Sequence, residues 1–395
     1  MSRPLEGLRV LDFSRVLAGP FAGRMLCDLG ADVVKVEPPE GDVTRLWGRR
    51  IGGIAGYFNQ QNVGKRDLCL DLARPGAADL VLQLVREADV VVENFRPGVM
   101  DRLGIGWEVL SAANPRLVML SISGFGQGGP ESGRAAYAPI IHAESGVVAR
   151  HAAFSGDAPR EMPVSIADTN ASLHGMVGLL SALYQRERTG RGDHVDIAMI
   201  DAMLFTDDHL HYALEDAEDT RPMQSEVWDT VIGPVMLSGD FRYLWKQLVA
   251  LCGVEDPTPP GAPLEEKIRL RRAAARDYLL SLPDREALVE VFDRMNLAWG
   301  RVLSSAEAVS ESATVDARGT ITRVDDRAGG ERPVVQSPYR FAASESGVRA
   351  PAPHRGEHNE QVLTEWLGLS GGEIGALDEA GILLAEHSGD AWNSK

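Results

Sequence analysis

Residues 8–36 read LRVLDFSRVLAGPFAGRMLCDLGADVVKV. Leu8 to Phe13 predicts a strand, and Pro20 predicts the opening of a helix, since proline at the first turn gives up no needed hydrogen bond. Phe21, Met25, Leu26 and Leu29 fall on one face of that helix, Gly30 closes it, and Val33 to Val36 predicts the next strand. A strand, a helix and a second strand form a crossover unit, whose strands are parallel. The pattern repeats downstream. Pro75 starts a helix carrying Leu80, Leu84 and Val85, and the apolar run Val90 to Val92 suits a strand buried on both faces. A third cycle runs from Trp107 through Leu117 to Ile122. The expected fold is α/β, with a mainly parallel sheet covered by helices on both sides.

The longest helical pattern begins after Asp168. Leu173, Met176, Val177, Leu180, Leu183 and Tyr184 share a stripe expected to pack on the sheet, and Gln185 to Arg188 form its polar end before Gly190. His194 to Met199 reads as a further strand. From about Pro222 the alternation is lost: the turn-rich segment CGVEDPTPPGAP (252–263) precedes helical patterns over Leu264–Leu282 and Asp284–Trp299. Residues Ala313 to Pro333 are polar and glycine-rich, as in an exposed connection, and helical spacing returns at Val362, Leu363, Trp366 and Leu367. The expected organisation is a large domain over 1–205, a smaller helix-rich α+β domain over 222–312, a linker over 313–332 and a return to the large domain over 333–395.

A chain of 395 residues is more than one core usually serves, which agrees with two domains. Forty basic against fifty-seven acidic side chains leave a net charge of −17, which argues against nucleic acid and anionic membrane as partners. Cys27, Cys69 and Cys252 are widely spaced and odd in number, so no disulfide framework or zinc site is indicated. The N-terminal MSRPLEGLRVLDFS lacks a secretory signal pattern, and no run of about 18 apolar residues is present. A cytoplasmic location is expected.

Gly124, Gly126 and Gly129 spell G-x-G-x-x-G after a strand. The dinucleotide site of that spelling needs a helix opening at the third glycine, whereas Pro130, Glu131, Ser132 and Gly133 follow, so neither NAD nor flavin is expected. His209 and His211 with Asp207 and Asp208, and His354 with His358, lack a third ligand at a recognisable distance, and no metal is expected. The basic residues Lys267, Arg269, Arg271, Arg272 and Arg276 read as a solvated helix face. No G-x-S-x-G elbow is present to anchor a serine nucleophile. A carboxylate needs no partner base, because it is ionised at neutral pH, and Asp168 at the mouth of the long helix is such a candidate nucleophile. The same position would equally suit a helix cap.

Five ordered blocks then carry a resemblance: residues 4–42, NVGKRDLCLDL (62–72), ADVVVENFRPGVMDRLGI (88–105), SISGFGQGGP (121–130) and IADTNASLHGMVGLLSALYQRERTGRGDHVDIAMIDAM (166–203). With GEHNEQVLTEWLG (356–368), they resemble the family III CoA-transferases, and only about Phe205 to Pro353 is weakly matched. The resemblance implies a Rossmann-like large domain built from both chain ends, a small middle domain, and an interlocked homodimer. It also implies an acyl-CoA:carboxylate CoA-transferase, with acyl-CoA and a carboxylic acid as substrates and with no metal or redox cofactor. Asp168 matches the family's nucleophile, which would form a mixed anhydride and then an aspartyl-CoA thioester. Tyr137 matches a tyrosine near the thioester. The implied CoA contacts are Val16, Leu17, Ala18, Leu70, Leu72, Asn94, Phe95, Arg96, Arg102 and Met199, and the loop carrying Gly124, Gly126, Gly128 and Gly129 would shield the intermediates from water. Leu17 replaces the glutamine of formyl-CoA transferase, and Pro38 stands where an arginine often meets the nucleotide. Two alternatives go with the resemblance. A 2-methylacyl-CoA racemase would need a histidine where Tyr137 stands, His142 being five residues further on, and a non-catalytic acyl-CoA binding protein would bind without turnover.

Overall fold

The computed structural model describes residues 2–215 and 225–385. The chain divides into two compact units, one formed by residues 1–210 with those from 316 onward and the other by residues 211–315. The expected small-domain boundary at Pro222 lies outside the described residues.

The first unit is built on six parallel strands, β1 (Arg9–Asp12), β2 (Asp32–Glu37), β3 (Arg66–Cys69), β4 (Val90–Glu93), β5 (Val118–Ser123) and β6 (His194–Ala198). Their spatial order is β3-β2-β1-β4-β5-β6, so the chain reverses its direction of travel across the sheet at β1 and β4. Alternate residues feed two cores. Val10, Val90 and Val92 face one, while Leu11 and Val91 face the other, which is why these strands read as unbroken apolar runs. Helix α1 (Ala18–Asp28) covers the first face and α2 (Ala77–Glu87) the second. The third cycle supplies α3 (Trp107–Ala113) ahead of β5.

Helix α4 (Ala138–Glu144) precedes the long helix α5, which spans Ile166–Thr189 and so starts ahead of Asp168. The stripe expected against the sheet is corrected in part: Met176 and Leu183 are buried in the first core, but Val177 is 66% exposed and Tyr184 70%, and Leu173 and Leu180 are also exposed. Small residues set how close the helix comes to the sheet. A Cβ on Gly175 would stand 3.2 Å from Leu120, and one on Gly178 would stand 2.7 Å from Val195 Cγ1. Ala167, Ala171, Met176, Leu179, Ala182 and Leu183 complete the buried side of α5, and the close approach at Gly175 and Gly178 turns the other large side chains of the stripe outward.

The second unit packs the antiparallel strands β7 (Glu226–Thr230), β8 (Gly233–Leu237) and β9 (Trp299–Arg301) on helices α6 (Phe241–Cys252), α7 (Leu264–Ser281) and α8 (Arg285–Arg294) around Trp228, Leu248, Leu279 and Phe292. Trp299, expected at the end of a helix, lies in β9, because Asn296 at φ 52° turns the chain out of α8. In the stretch read as an exposed connection, β10 (Ile321–Asp325) and β11 (Glu331–Val335) pair as a hairpin that buries Val324 and Val334 with Val63. Helix α9 (Asn359–Leu367) then returns Val362, Leu363 and Trp366 to the second core of the sheet.

Candidate active site

In open parallel sheets the crevice for a ligand lies beyond the carboxyl ends of the strands where the strand order reverses. Here the loops leaving β1 and β4 meet at that point. The side chain of Asn94 clamps the backbone of Arg15, accepting its N–H at 2.7 Å and donating to its carbonyl at 2.8 Å. Below the loop, Lys65 Nζ meets Asp12 Oδ2 at 2.7 Å with both side chains fully buried. Lys35 Nζ donates to the Ser14 carbonyl at 2.8 Å and to Asp42 Oδ2 at 3.2 Å. These bonds hold Val16 at φ 68°, a left-handed conformation that costs a β-branched residue about 1–2 kcal/mol. Beyond β4, Glu93 accepts the Phe95 N–H at 2.7 Å, and burial pushes its carboxyl up to about 7.

A cavity of about 420 Å³ opens between these loops. Asp168 lies on its wall, in the first turn of α5. Burial raises its carboxyl to about 6, against the pull of three backbone N–H groups, its own and those of Ala18 and Ala138. Ala18 and Ala138 are the first residues of α1 and α4, so the carboxylate stands where three helix starts converge and where added negative charge is stabilised. Ser172 Oγ ties α1 to α5, standing 2.5 Å from the Ala18 carbonyl and 2.8 Å from that of Asp168.

Of the residues singled out in the sequence, Val16, Ala18, Asn94, Phe95, Arg96, Gly124, Tyr137, Asp168 and Met199 line this cavity. Tyr137 is 65% exposed at the cap of α4. The others lie elsewhere. Leu17 is buried ahead of α1, Leu70 is fully buried in the second core, Leu72 packs against that core, and Arg102 is exposed beyond the lining. Gly126 and Gly129 take positive φ at 82° and 95°, Gly128 and Gly129 are exposed, and no helix opens until Ala138. Arg15, Val43, Ile122, Ser123 and Arg134 also line the cavity, although nothing in their spacing marked them. Arg134 is held by Glu131 at 2.8 Å and lies over the Phe125 ring. Tyr57 was missed as well: its hydroxyl is raised by burial and by the charges of Asp168 and Asp42.

Among the described residues, no three His, Cys, Asp or Glu side chains are grouped to hold a metal ion, and no helix is long and apolar enough to cross a membrane. The family model for CoA-transferase family III matches residues 5–359. The chain belongs to that family. It is 33% identical to the formyl-CoA:oxalate CoA-transferase of Streptomyces avermitilis, over 97% of this chain and 100% of that one. It is 32% identical to the succinyl-CoA–D-citramalate CoA-transferase of Chloroflexus aurantiacus, over 95% and 97% of the two chains. The crystal structure of a CAIB/BAIF family protein from Brucella suis superposes with a TM-score of 0.77 at 30% identity, covering 93% of this chain and 100% of that one. The family III protein described here is therefore an enzyme, a CoA-transferase.

Proposed function

We propose that this CoA-transferase moves CoA from an acyl-CoA to a free carboxylic acid through covalent intermediates on Asp168. The observation that carries the reading is the Asp168 carboxylate on the cavity wall, desolvated and facing the N–H groups that start α1 and α4. A carboxyl raised to about 6 is mostly ionised at neutral pH, yet more basic and more nucleophilic than an exposed aspartate. Its oxygen attacks the thioester carbonyl, the carbon–sulfur bond breaks, and a mixed anhydride and CoA thiolate form. The thiolate attacks the aspartyl carbonyl of the anhydride, the donor acid leaves as its carboxylate, and Asp168 becomes a CoA thioester. The acceptor carboxylate then displaces the thiolate from Asp168, and the thiolate attacks the acceptor's acyl carbon, releasing the new acyl-CoA and the Asp168 carboxylate. Oxyanions formed on the aspartyl carbon in these steps lie beside the Ala18 and Ala138 donors.

CoA would occupy the crevice formed by Val16, Ala18, Asn94, Phe95 and Arg96, with the Gly124–Gly129 loop limiting water. Tyr137 would lie beside the thioester. His142 does not line the cavity, and its ring is engaged elsewhere, which favours transfer over racemisation. The outward stripe of α5 supports a homodimer, since Val177 and Tyr184 would otherwise leave a contiguous apolar face in water. Trapping tests the mechanism. Acyl-CoA with hydroxylamine should convert Asp168 to a hydroxamate, and Asp168→Ala should lose about 10³-fold or more of its transfer rate. Full transfer by that variant overturns the proposal.

A further inference from the structure

The first turn of α5 leaves the N–H groups of Ile166, Ala167 and Asp168 without helical partners, and its capping residue Ser165 contributes no side-chain bond. The first helical bond is Thr169 N–H to the Ser165 carbonyl at 3.3 Å; ahead of it, Ile166 N–H reaches the Val164 carbonyl at 2.9 Å and Asp168 N–H turns to its own carboxylate. The remaining donor, Ala167 N–H, is taken at 3.1 Å by Nε2 of His142, a residue of α4 that is 1% exposed. Burial holds the imidazole below its ordinary value, against the charge of Glu161, so the ring is neutral and Nε2 is free to accept. Its proton is then on Nδ1, which is buried without a hydrogen-bond partner among the described residues.

His142 lies one helical turn after Ala138. Helix α4 therefore acts on the nucleophile twice: the Ala138 N–H draws on the Asp168 carboxylate, and the His142 ring accepts from the residue before it. We infer that His142 is a positioning residue, a cap supplied from a neighbouring helix that fixes Asp168 against the Ala138 donor. It never touches substrate. Its contribution is the alignment of the carboxylate with the N–H group that meets the developing oxyanion, so its loss should act on turnover rather than on acyl-CoA binding.

The inference rests on Asp168 as nucleophile, and a pair of isosteres tests it separately. Glutamine places a carbonyl oxygen close to the Nε2 position, and asparagine places one close to Nδ1. His142→Gln should keep kcat within about threefold, whereas His142→Asn and His142→Leu should lower kcat by about 10- to 100-fold. In both weak variants KM for acyl-CoA should change by less than about threefold, and hydroxamate formation at Asp168 should slow in step with kcat. Equal kcat for the Gln and Asn variants, or a loss carried by KM alone, overturns the inference. The Gln and Asn comparison stands even if the Leu variant does not fold. Asp168→Ala assayed alongside separates the two ideas: activity there overturns the nucleophile, while an inactive Asp168→Ala beside indistinguishable Gln and Asn variants overturns only His142.

Discussion

Asp42 Oδ2 accepts the backbone N–H of Val16 at 3.1 Å while paired with Lys35 Nζ at 3.2 Å, so a buried ion pair holds the cavity wall in its left-handed turn. Burial alone would raise the Asp42 carboxyl, but Lys35 and the N–H groups of Thr44 and Val16 hold it at about 2. Asp42→Asn removes the direct ion-pair partner of buried Lys35, leaving only the more distant charges of Asp12, Glu37 and Asp67, and should cost about 3 kcal/mol of stability. The freed turn should raise KM for acyl-CoA about tenfold, on the order of the 1.4 kcal/mol that Val16 needs to stay left-handed. Urea titration and steady-state kinetics read both effects, and an unchanged KM would show that the turn holds without the carboxylate.

Asp168 ties activity to pH in one direction and stability in the other. If Asp168 is the nucleophile proposed above, transfer needs its carboxylate, so kcat/KM should fall as pH drops through about 6. Folding favours the acid: with the folded carboxyl raised from 3.8 to about 6, the penalty is absent below 3.8, grows between the two values and is fully present above 6. Asp168→Asn should therefore stabilise the protein above pH 6 by about 3 kcal/mol, with no gain below pH 4. Thermal unfolding of the two proteins across this range measures the difference, and a constant offset at all pH values would contradict the assigned shift.

Gly124 has no room for a side chain, since a Cβ there would stand 2.2 Å from Ala136 Cβ. Gly124→Ala must push back the segment that carries Tyr137 and the Ala138 donor. Turnover should drop about tenfold or more, while the sheet core, and with it the unfolding midpoint, changes little. Normal kcat in this variant would remove the 134–138 segment from the reaction.

The outward stripe of α5 makes a prediction about assembly. Wild-type protein should sediment as a dimer, and Val177→Glu should weaken or abolish that state by placing a charge in its apolar contact. A wild-type monomer at micromolar concentration would leave the stripe without the proposed occupant.

Much of the first unit was legible because its strands are buried on both faces, which makes Val90 to Val92 a continuous apolar run. Strand β3 was not, because Lys65 and Asp67 interrupt the pattern. Both are buried as charges, and their partners Asp12 and Arg45 lie far off in the chain. The stripe of α5 is legible only in part: Met176 and Leu183 pack inward, but Leu173, Val177, Leu180 and Tyr184 face outward, since periodicity marks a face without saying what covers it, and the close contacts of Gly175 and Gly178 set the helix's approach. Asp168 was a candidate from its place at a helix start. The donors around it come from Ala18 and Ala138, residues whose side chains carry no chemistry and whose roles are set by the fold alone.

The most direct test of covalent transfer is the fate of the acceptor's oxygen. With an acceptor acid labelled in both carboxylate oxygens by oxygen-18, an attack on the Asp168 thioester followed by cleavage on the acceptor's side of the anhydride leaves one labelled oxygen in the Asp168 carboxylate per turnover. Mass spectrometry of the Asp168 peptide should show that label after turnover, and none when acyl-CoA is omitted. Active transfer with no label in Asp168 would contradict the account.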